Sequence, residues 1–304
     1  MVIAEQLNTT EDALISFINT LRQEGIVRRI GGVFDARRLG YRSCLFGVHT
    51  TPNTLSDIVA ATIAHPGVTH AYLRGWPGTF QADNISITDY ATYPNFWYTL
   101  SAPADAFQEA AAPLQQFAPI PFPALTRYKI DVVFDLRTRN RDEKTEYLSP
   151  KHLSTPPVIT AEQKDIVRRY QEDTLAIQTP FRAEDLPQLR LWLADGTLRR
   201  FGLLLYHRAS GFSANGMCCW DVSPEEIDLY GRRLAASPDV THCYARPQHE
   251  HFPFSLYAMI HKTSWQAALD TFHRLSQETG LHHHPRKIFF STQEYKKSSL
   301  RFFL

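Results

Sequence analysis

Gly25-Ile26-Val27-Arg28-Arg29-Ile30-Gly31 returns as Gly196-Thr197-Leu198-Arg199-Arg200-Phe201-Gly202, 171 positions further along the chain. Pro66-Gly67-Val68-Thr69-His70-Ala71-Tyr72-Leu73-Arg74 returns as Pro238-Asp239-Val240-Thr241-His242-Cys243-Tyr244-Ala245-Arg246, 172 positions further along. Two motifs that keep their order and spacing in both halves mark an internal duplication, with a unit of roughly 150 residues. Such a chain is expected to fold as two similar domains paired about a pseudo-twofold axis. A site between them is free to become asymmetric wherever the copies have diverged.

The length of 304 residues, 43% of them hydrophobic and 21% charged, fits a soluble protein of about two domains. Apolar runs are only strand-length, so no membrane span is expected, and the N-terminus lacks the pattern of a signal peptide. The cytoplasm is the expected compartment. Cys44 and Cys243 sit in apolar strand patterns and Cys218-Cys219 are adjacent, which predicts buried thiols rather than disulfides or a zinc site. A net charge of +1, from 32 basic and 31 acidic residues, gives no electrostatic reason to hold DNA, so nucleic acid is not an expected partner. Of the 13 histidines, eight fall in the last quarter of the chain.

Both halves predict the same succession of elements. Thr10-Glu11-Asp12 reads as a helix N-cap with an acidic first turn, and Leu14, Ile15, Ile18 and Leu21 carry the apolar face to a stop at Gly25. Residues 26–30 and 32–35 are then expected to form the two strands of a wing. In the second copy a capping box at Thr160 opens a helix that runs to about Asp173, and a helix over 186–194 ends at Asp195-Gly196. After each wing comes the order βαββαβ: strands at 43–49, 68–73, 96–100 and 126–134 with helices at 55–64 and 105–117. Its second copy has strands at 214–221, 240–244, 255–261 and 287–291 with helices at 224–236 and 264–280. The fold class is therefore α+β: a duplicated unit of a degenerate helix-turn-helix or winged domain followed by a ferredoxin-like βαββαβ domain. Its expected boundaries are 1–42, 43–136, a linker at 137–157, 158–212 and 213–304. The first copy lacks the opening helix of its helix-turn-helix, and residues 75–92 hold an insertion relative to the second copy.

This layout resembles the AsnC/Lrp family of amino-acid-responsive regulators. The run Gly25 to Tyr41, the run Leu198 to Met217 with Tyr206-His207-Arg208 inside it, and the closing Phe290 to Phe302 are similar to the siroheme decarboxylases, which share that fold. The first half resembles one subunit type and the second half the other, as in a natural fusion of the pair. The resemblance implies a lyase that removes the acetate carboxyls at C12 and C18 of siroheme without an oxidant. It also implies that didecarboxysiroheme is formed for alternative haem or haem d1 synthesis. No separate cofactor is implied, because the iron belongs to the substrate.

Losing CO2 from an acetate arm calls for a proton donor near the ring or the new methyl carbon, and histidine titrates in the useful range. Siroheme's many carboxylates call for arginine and histidine partners. His249, His251 and His261 are the candidate proton donors. Arg246, His207, Arg208, Arg37, Arg38, Arg199 and Arg200 are the candidate substrate-binding residues, with Arg28 and Arg29 beside them. His207, His249 or His251 is the candidate ligand of the substrate iron. His207 stands where the first copy has Ala36, an asymmetry of the kind a single site produces. His70 and His242 recur in both copies and read as sharing a structural role. The chain is expected to supply its own pseudo-dimer, and two chains can assemble further. Two alternatives stand beside the lyase: a ligand-responsive DNA-binding regulator, opposed by the neutral charge and eroded helix-turn-helix, and a haem-binding protein without catalysis.

Overall fold

The computed structural model describes residues 4–5, 7–75, 80–81, 84–85, 92–130, 158–174, 177, 180–205 and 213–304. Helix α1 (Glu11–Gln23) is capped by Thr10, whose side chain accepts from the Ala13 amide, and ends before Gly25 at φ 71°. Strands β1 (Val27–Phe34) and β2 (Tyr41–Val48), helix α2 (Pro52–Ala64), and strands β3 (Val68–Gly75) and β4 (Phe96–Pro103) follow. Helix α3 (Phe107–Ala111) continues as a 3-10 turn to Phe117, because Pro113 has no amide to donate. Strands β5 (Ile120–Phe122) and β6 (Thr126–Ile130) complete the first copy. The second copy comprises α4 (Ala161–Gln171), α5 (Leu186–Asp195), β7 (Leu198–Leu205), β8 (Ala214–Trp220), α6 (Ile227–Ala236), β9 (Val240–Ala245), β10 (Leu256–Lys262), α7 (Trp265–Thr279) and β11 (Arg286–Lys297).

Nine of these strands form one sheet in the order β5-β2-β4-β3-β11-β8-β10-β9-β6. The last strand of each copy divides its pairing between the two halves. In β11, Arg286 to Phe290 pair with β8 of its own copy and Phe290 to Lys297 pair with β3 of the other. In the first copy the same strand is broken at Pro123-Ala124-Leu125: β5 pairs with β2, and β6 crosses to β9. Since β5 and β6 stand at opposite ends of the order and adjoin in the chain, the sheet closes on itself. Side chains alternate across it. One face packs under the helices in two separate cores, around Phe46, Phe96 and Leu100 in the first copy and Trp220, Leu256 and Phe290 in the second. The inner face joins the copies through Trp97, Phe122, Met217, Phe252, Tyr257 and Phe289.

The wings differ from the sequence expectation. Residues 26–30 and 32–35 are not a hairpin: β1 is one continuous strand, and its antiparallel partner is β7 of the other copy, with Gly31 opposite Gly202. The Gly31-Gly32 pair looks like a turn signal but serves close approach, since a Cβ at Gly31 would lie 2.7 Å from the Glu172 carbonyl oxygen. The β1–β7 ribbon packs with α4, α5 and the C-terminal Phe302 in a fourth core that includes Phe34, Tyr170 and Trp192. All four cysteines are buried and unbridged. Strand β11 runs six residues beyond its expected end at Ser291, because the second half of the strand is ordered by the other copy. The linker at 137–157, the strand residues after Ile130, and His207 and Arg208 lie outside the described residues.

Candidate active site

The repeated motif Thr-His-x-Tyr-x-Arg occupies equivalent strands, β3 and β9. On β9, Val240, Cys243 and Ala245 enter the helix-side core, which turns His242 and Tyr244 to the inner face, with a register shift between Val240 and His242. On β3, Val68 and Ala71 play the same part and His70, Tyr72 and Arg74 face inward. The His70 and Tyr72 rings lie 6.1 Å apart, as do those of His242 and Tyr244. The Arg74 guanidinium sits 5.2 Å from the Tyr72 ring centre and donates to the Phe289 carbonyl of the other copy at 3.3 Å. Arg246 repeats this arrangement, 4.8 Å from the Tyr244 ring centre and donating to the Phe122 carbonyl, again across the copies. In both arginines Nε is buried without a hydrogen-bond partner among the described residues.

These groups belong to a field of cations. Burial, followed by the charges of Lys297, Arg28, His242 and Arg74, pushes the His70 pKa down to about 3, so the ring is neutral at working pH. Burial also lowers Arg74 and Arg246. Arg127 on β6 is lowered by burial and then by Arg37, with Arg246 adding to the effect and Tyr244 and Asp35 opposing it. Arg37 lies 3.7 Å from Asp35, a buried carboxylate already engaged by the backbone amides of Arg37 and Arg38. Cations that depress one another in a buried setting are poorly compensated by the protein's own acids. An anion bearing several carboxylates would supply the missing charge.

The ribbon covers the end of the closed sheet where Ser298 and Ser299 follow β11. Ser299 Oγ accepts from Arg28 Nη2 at 2.9 Å and from Arg29 Nε at 3.1 Å. Arg29 also donates to the Gln171 carbonyl at 2.9 Å, fixing the end of α4 to the ribbon. At this covered end the copies differ. On the inner face of the second copy, Asn215 stands opposite His261 in the strand register. The first copy has Ser43 opposite Ser101, joined hydroxyl to hydroxyl at 2.7 Å.

Not all the candidate residues are brought together. His249 and His251 lie in the exposed β9–β10 loop, their rings 6.2 Å apart. His49, just after β2, completes this group, its ring 6.3 Å from that of His251. His261 is at the far end of β10, about 17 Å of extended strand from Leu256 where that loop ends. It therefore cannot join His249 and His251 around one atom. Arg246 reaches the inner face, while Arg199 and Arg200 lie on β7 and Arg38 lies beside Gly196. Among the described residues, no group of three or more His, Cys, Asp or Glu side chains could hold a metal ion. No helix of the described chain is long and apolar enough to cross a membrane. Arg74 and Arg127 were not among the residues singled out from the sequence, which reads His70 and His242 as sharing a structural role. For His70, His242 and Arg74 the signal was the alternation of His, Tyr and Arg at every second position of a repeated strand.

The AsnC-like ligand binding domain model matches residues 209–296. The siroheme decarboxylase of Hydrogenobacter thermophilus is 28% identical over 318 residues, spanning 99% of this chain and 89% of its own length. The siroheme decarboxylase beta subunit of Desulfovibrio desulfuricans is 31% identical over 157 residues, or 51% of this chain and 96% of that subunit. The crystal structure of the siroheme decarboxylase NirDL superimposes with a TM-score of 0.67 at 25% identity, covering 100% of this chain and 88% of that one. A NirDL structure in complex with an iron-uroporphyrin III analogue gives a TM-score of 0.66.

Proposed function

The chain belongs to the siroheme decarboxylase family, and from that premise we propose how its own residues carry the reaction. It is a carboxy-lyase that acts on siroheme, and both subunit types of the family are joined in one polypeptide. The substrate brings its own iron, and the proposed chemistry asks for no separate cofactor. The observation that supports the site assignment is the set of Arg37, Arg74 and Arg246, whose buried Nε atoms have no hydrogen-bond partner among the described residues, with Arg28, Arg127 and Lys297 near them between the ribbon and the inner face. Siroheme's spectator carboxylates pair with these groups there, with His70 and His242 facing the macrocycle.

In the reaction, the bond between the acetate methylene and its carboxylate breaks and CO2 leaves. The electron pair passes through the conjugated ring and ends in a new C–H bond, whose proton comes from a histidine, so an acetate arm plus one proton becomes a methyl group plus CO2. The reacting carboxylate loses its charge on the way to the transition state. A cation held against it would stabilise the ground state more than the transition state and slow the step. The arginines therefore hold the carboxylates that stay, and the leaving one belongs at a desolvated, uncharged polar place. His249, His251 and His49 form a histidine-rich rim at the opposite end.

Arg127→Met is expected to weaken siroheme binding about tenfold or more, since a charge-assisted contact is lost. The ligand-free protein should be no less stable, because a desolvated cation is removed. Spectral titration alongside urea unfolding checks both. The reaction is tested by anaerobic incubation of the protein with siroheme and mass spectrometry of the extracted tetrapyrrole. Loss of two CO2 units is the expected result. Tight binding without a mass change would favour a haem-binding protein instead. The regulator alternative has less support: Arg22, the basic residue of α1, is held in an ion pair with Asp173.

A further inference from the structure

We propose that both carboxyls are removed at one place in this chain, the polar group formed by Asn215, Thr241 and His261, while its first-copy counterpart at Ser43, Thr69 and Ser101 does no chemistry. The proposal rests on the decarboxylase reading and deepens it. Strand register makes the two places equivalent: Asn215 opposite His261 corresponds to Ser43 opposite Ser101, and Thr241 to Thr69. Their hydrogen bonding is not equivalent. The Ser43 and Ser101 hydroxyls satisfy each other at 2.7 Å, and Thr69 pairs with His70 Nδ1 at 2.9 Å, so the first-copy place is closed on itself.

In the second copy Thr241 Oγ1 donates its hydrogen to the Met259 carbonyl at 3.1 Å. Toward His261 Nδ1, 3.3 Å away, the same oxygen can then only accept, which places a proton on Nδ1 and leaves Nε2 as the nitrogen that takes up and delivers the other. Asn215 Oδ1, on the facing strand, is buried without a hydrogen-bond partner among the described residues. A buried acceptor left open on the strand facing His261 can take a hydrogen bond from that ring or from the bound ligand. The groups that form this place are an amide, a hydroxyl and an imidazole, which suits a carboxylate that must leave as neutral CO2. In each round the C–C bond to the carboxylate breaks, His261 Nε2–H gives its proton to the former methylene carbon, and the imidazole is reprotonated from water. The substrate turns between rounds to present its second acetate arm.

The test is single-turnover reaction of siroheme with the full-length wild type, His261→Asn and Ser101→Ala, quenched in time and followed by mass spectrometry. Asparagine can keep the hydrogen bond to Thr241 but supplies no acid. His261→Asn is expected to bind siroheme as the wild type does, by spectral titration, while both CO2 losses slow about 10²-fold or more. Ser101→Ala is expected to leave both steps at the wild-type rate. Accumulation of a product lacking one CO2 at the wild-type rate in His261→Asn would overturn the single place in favour of two. Two losses at the wild-type rate in that variant would remove His261 from the chemistry. A wild type that binds siroheme and releases no CO2 would overturn the decarboxylase reading itself, and this proposal with it.

Discussion

Acidification from about pH 6.5 to about pH 4.5 is expected to cost the wild type about 2–3 kcal/mol more folding stability than it costs His70→Gln. The folded pKa of His70 is depressed from 6.5 to about 3, first by burial and then by Lys297 on β11, Arg28 on β1, His242 on β9 and Arg74 on β3. Between those two values the unfolded chain binds a proton that the folded chain refuses. Stability from this residue is therefore complete above pH 6.5 and is lost as the pH falls toward 3. Glutamine can keep a hydrogen bond to Thr69 and does not titrate in this range, so the difference between the two unfolding curves isolates the effect. Equal pH dependence in the two proteins would show that His70 is not buried among cations. A bound polycarboxylate should raise the His70 pKa, so siroheme binding at mildly acidic pH should take up protons.

Gly31→Val is expected to destabilise the protein by roughly 3 kcal/mol and to detach the ribbon from α4. A Cβ at this position would stand 2.7 Å from the Glu172 carbonyl and 3.2 Å from the Tyr170 carbonyl, and would also meet the Arg29 guanidinium. Backbone oxygens at the end of a packed helix cannot move aside cheaply. The same motif supplies its own control. Gly202 is the strand partner of Gly31, and a Cβ there would have no neighbour within 4 Å, so Gly202→Ala should be tolerated. Thermal unfolding of the two variants checks the pair, and equal losses would contradict the close approach. Because Arg28 and Arg29 reach Ser299 from this ribbon, Gly31→Val should also weaken siroheme binding.

Local chemistry made much of the fold legible in the sequence. The Thr10 cap, the Thr160 capping box, and Gly25, Gly196 and Gly280 as left-handed helix stops each rest on a few adjacent residues. What the sequence concealed depends on the other copy. Strand β1 carries the signature of a whole hairpin, with Gly31-Gly32 at the turn, yet it pairs along its length with β7, and no local pattern distinguishes these arrangements. The stretch from Thr292 to Lys297 lies beyond the strand expected at 287–291, but β3 of the first copy orders it as strand. The site was hidden for the same reason. His70, Tyr72 and Arg74 alternate with apolar residues as a solvent-facing strand edge would, and only closure of the two copies makes that face interior. His249 and His251 stood out by local density, whereas His261 gained meaning from its register with Asn215.

Siroheme is proposed to lie between the β1–β7 ribbon and the inner face of the closed sheet, with its carboxylates on the buried cations. The most direct measurement is the position of iron, by anomalous X-ray scattering, in crystals of this protein grown with iron uroporphyrin III. An iron peak at the covered end, beside His70 and His242, is the predicted result. A peak at the opposite rim, among His49, His249 and His251, would contradict the account.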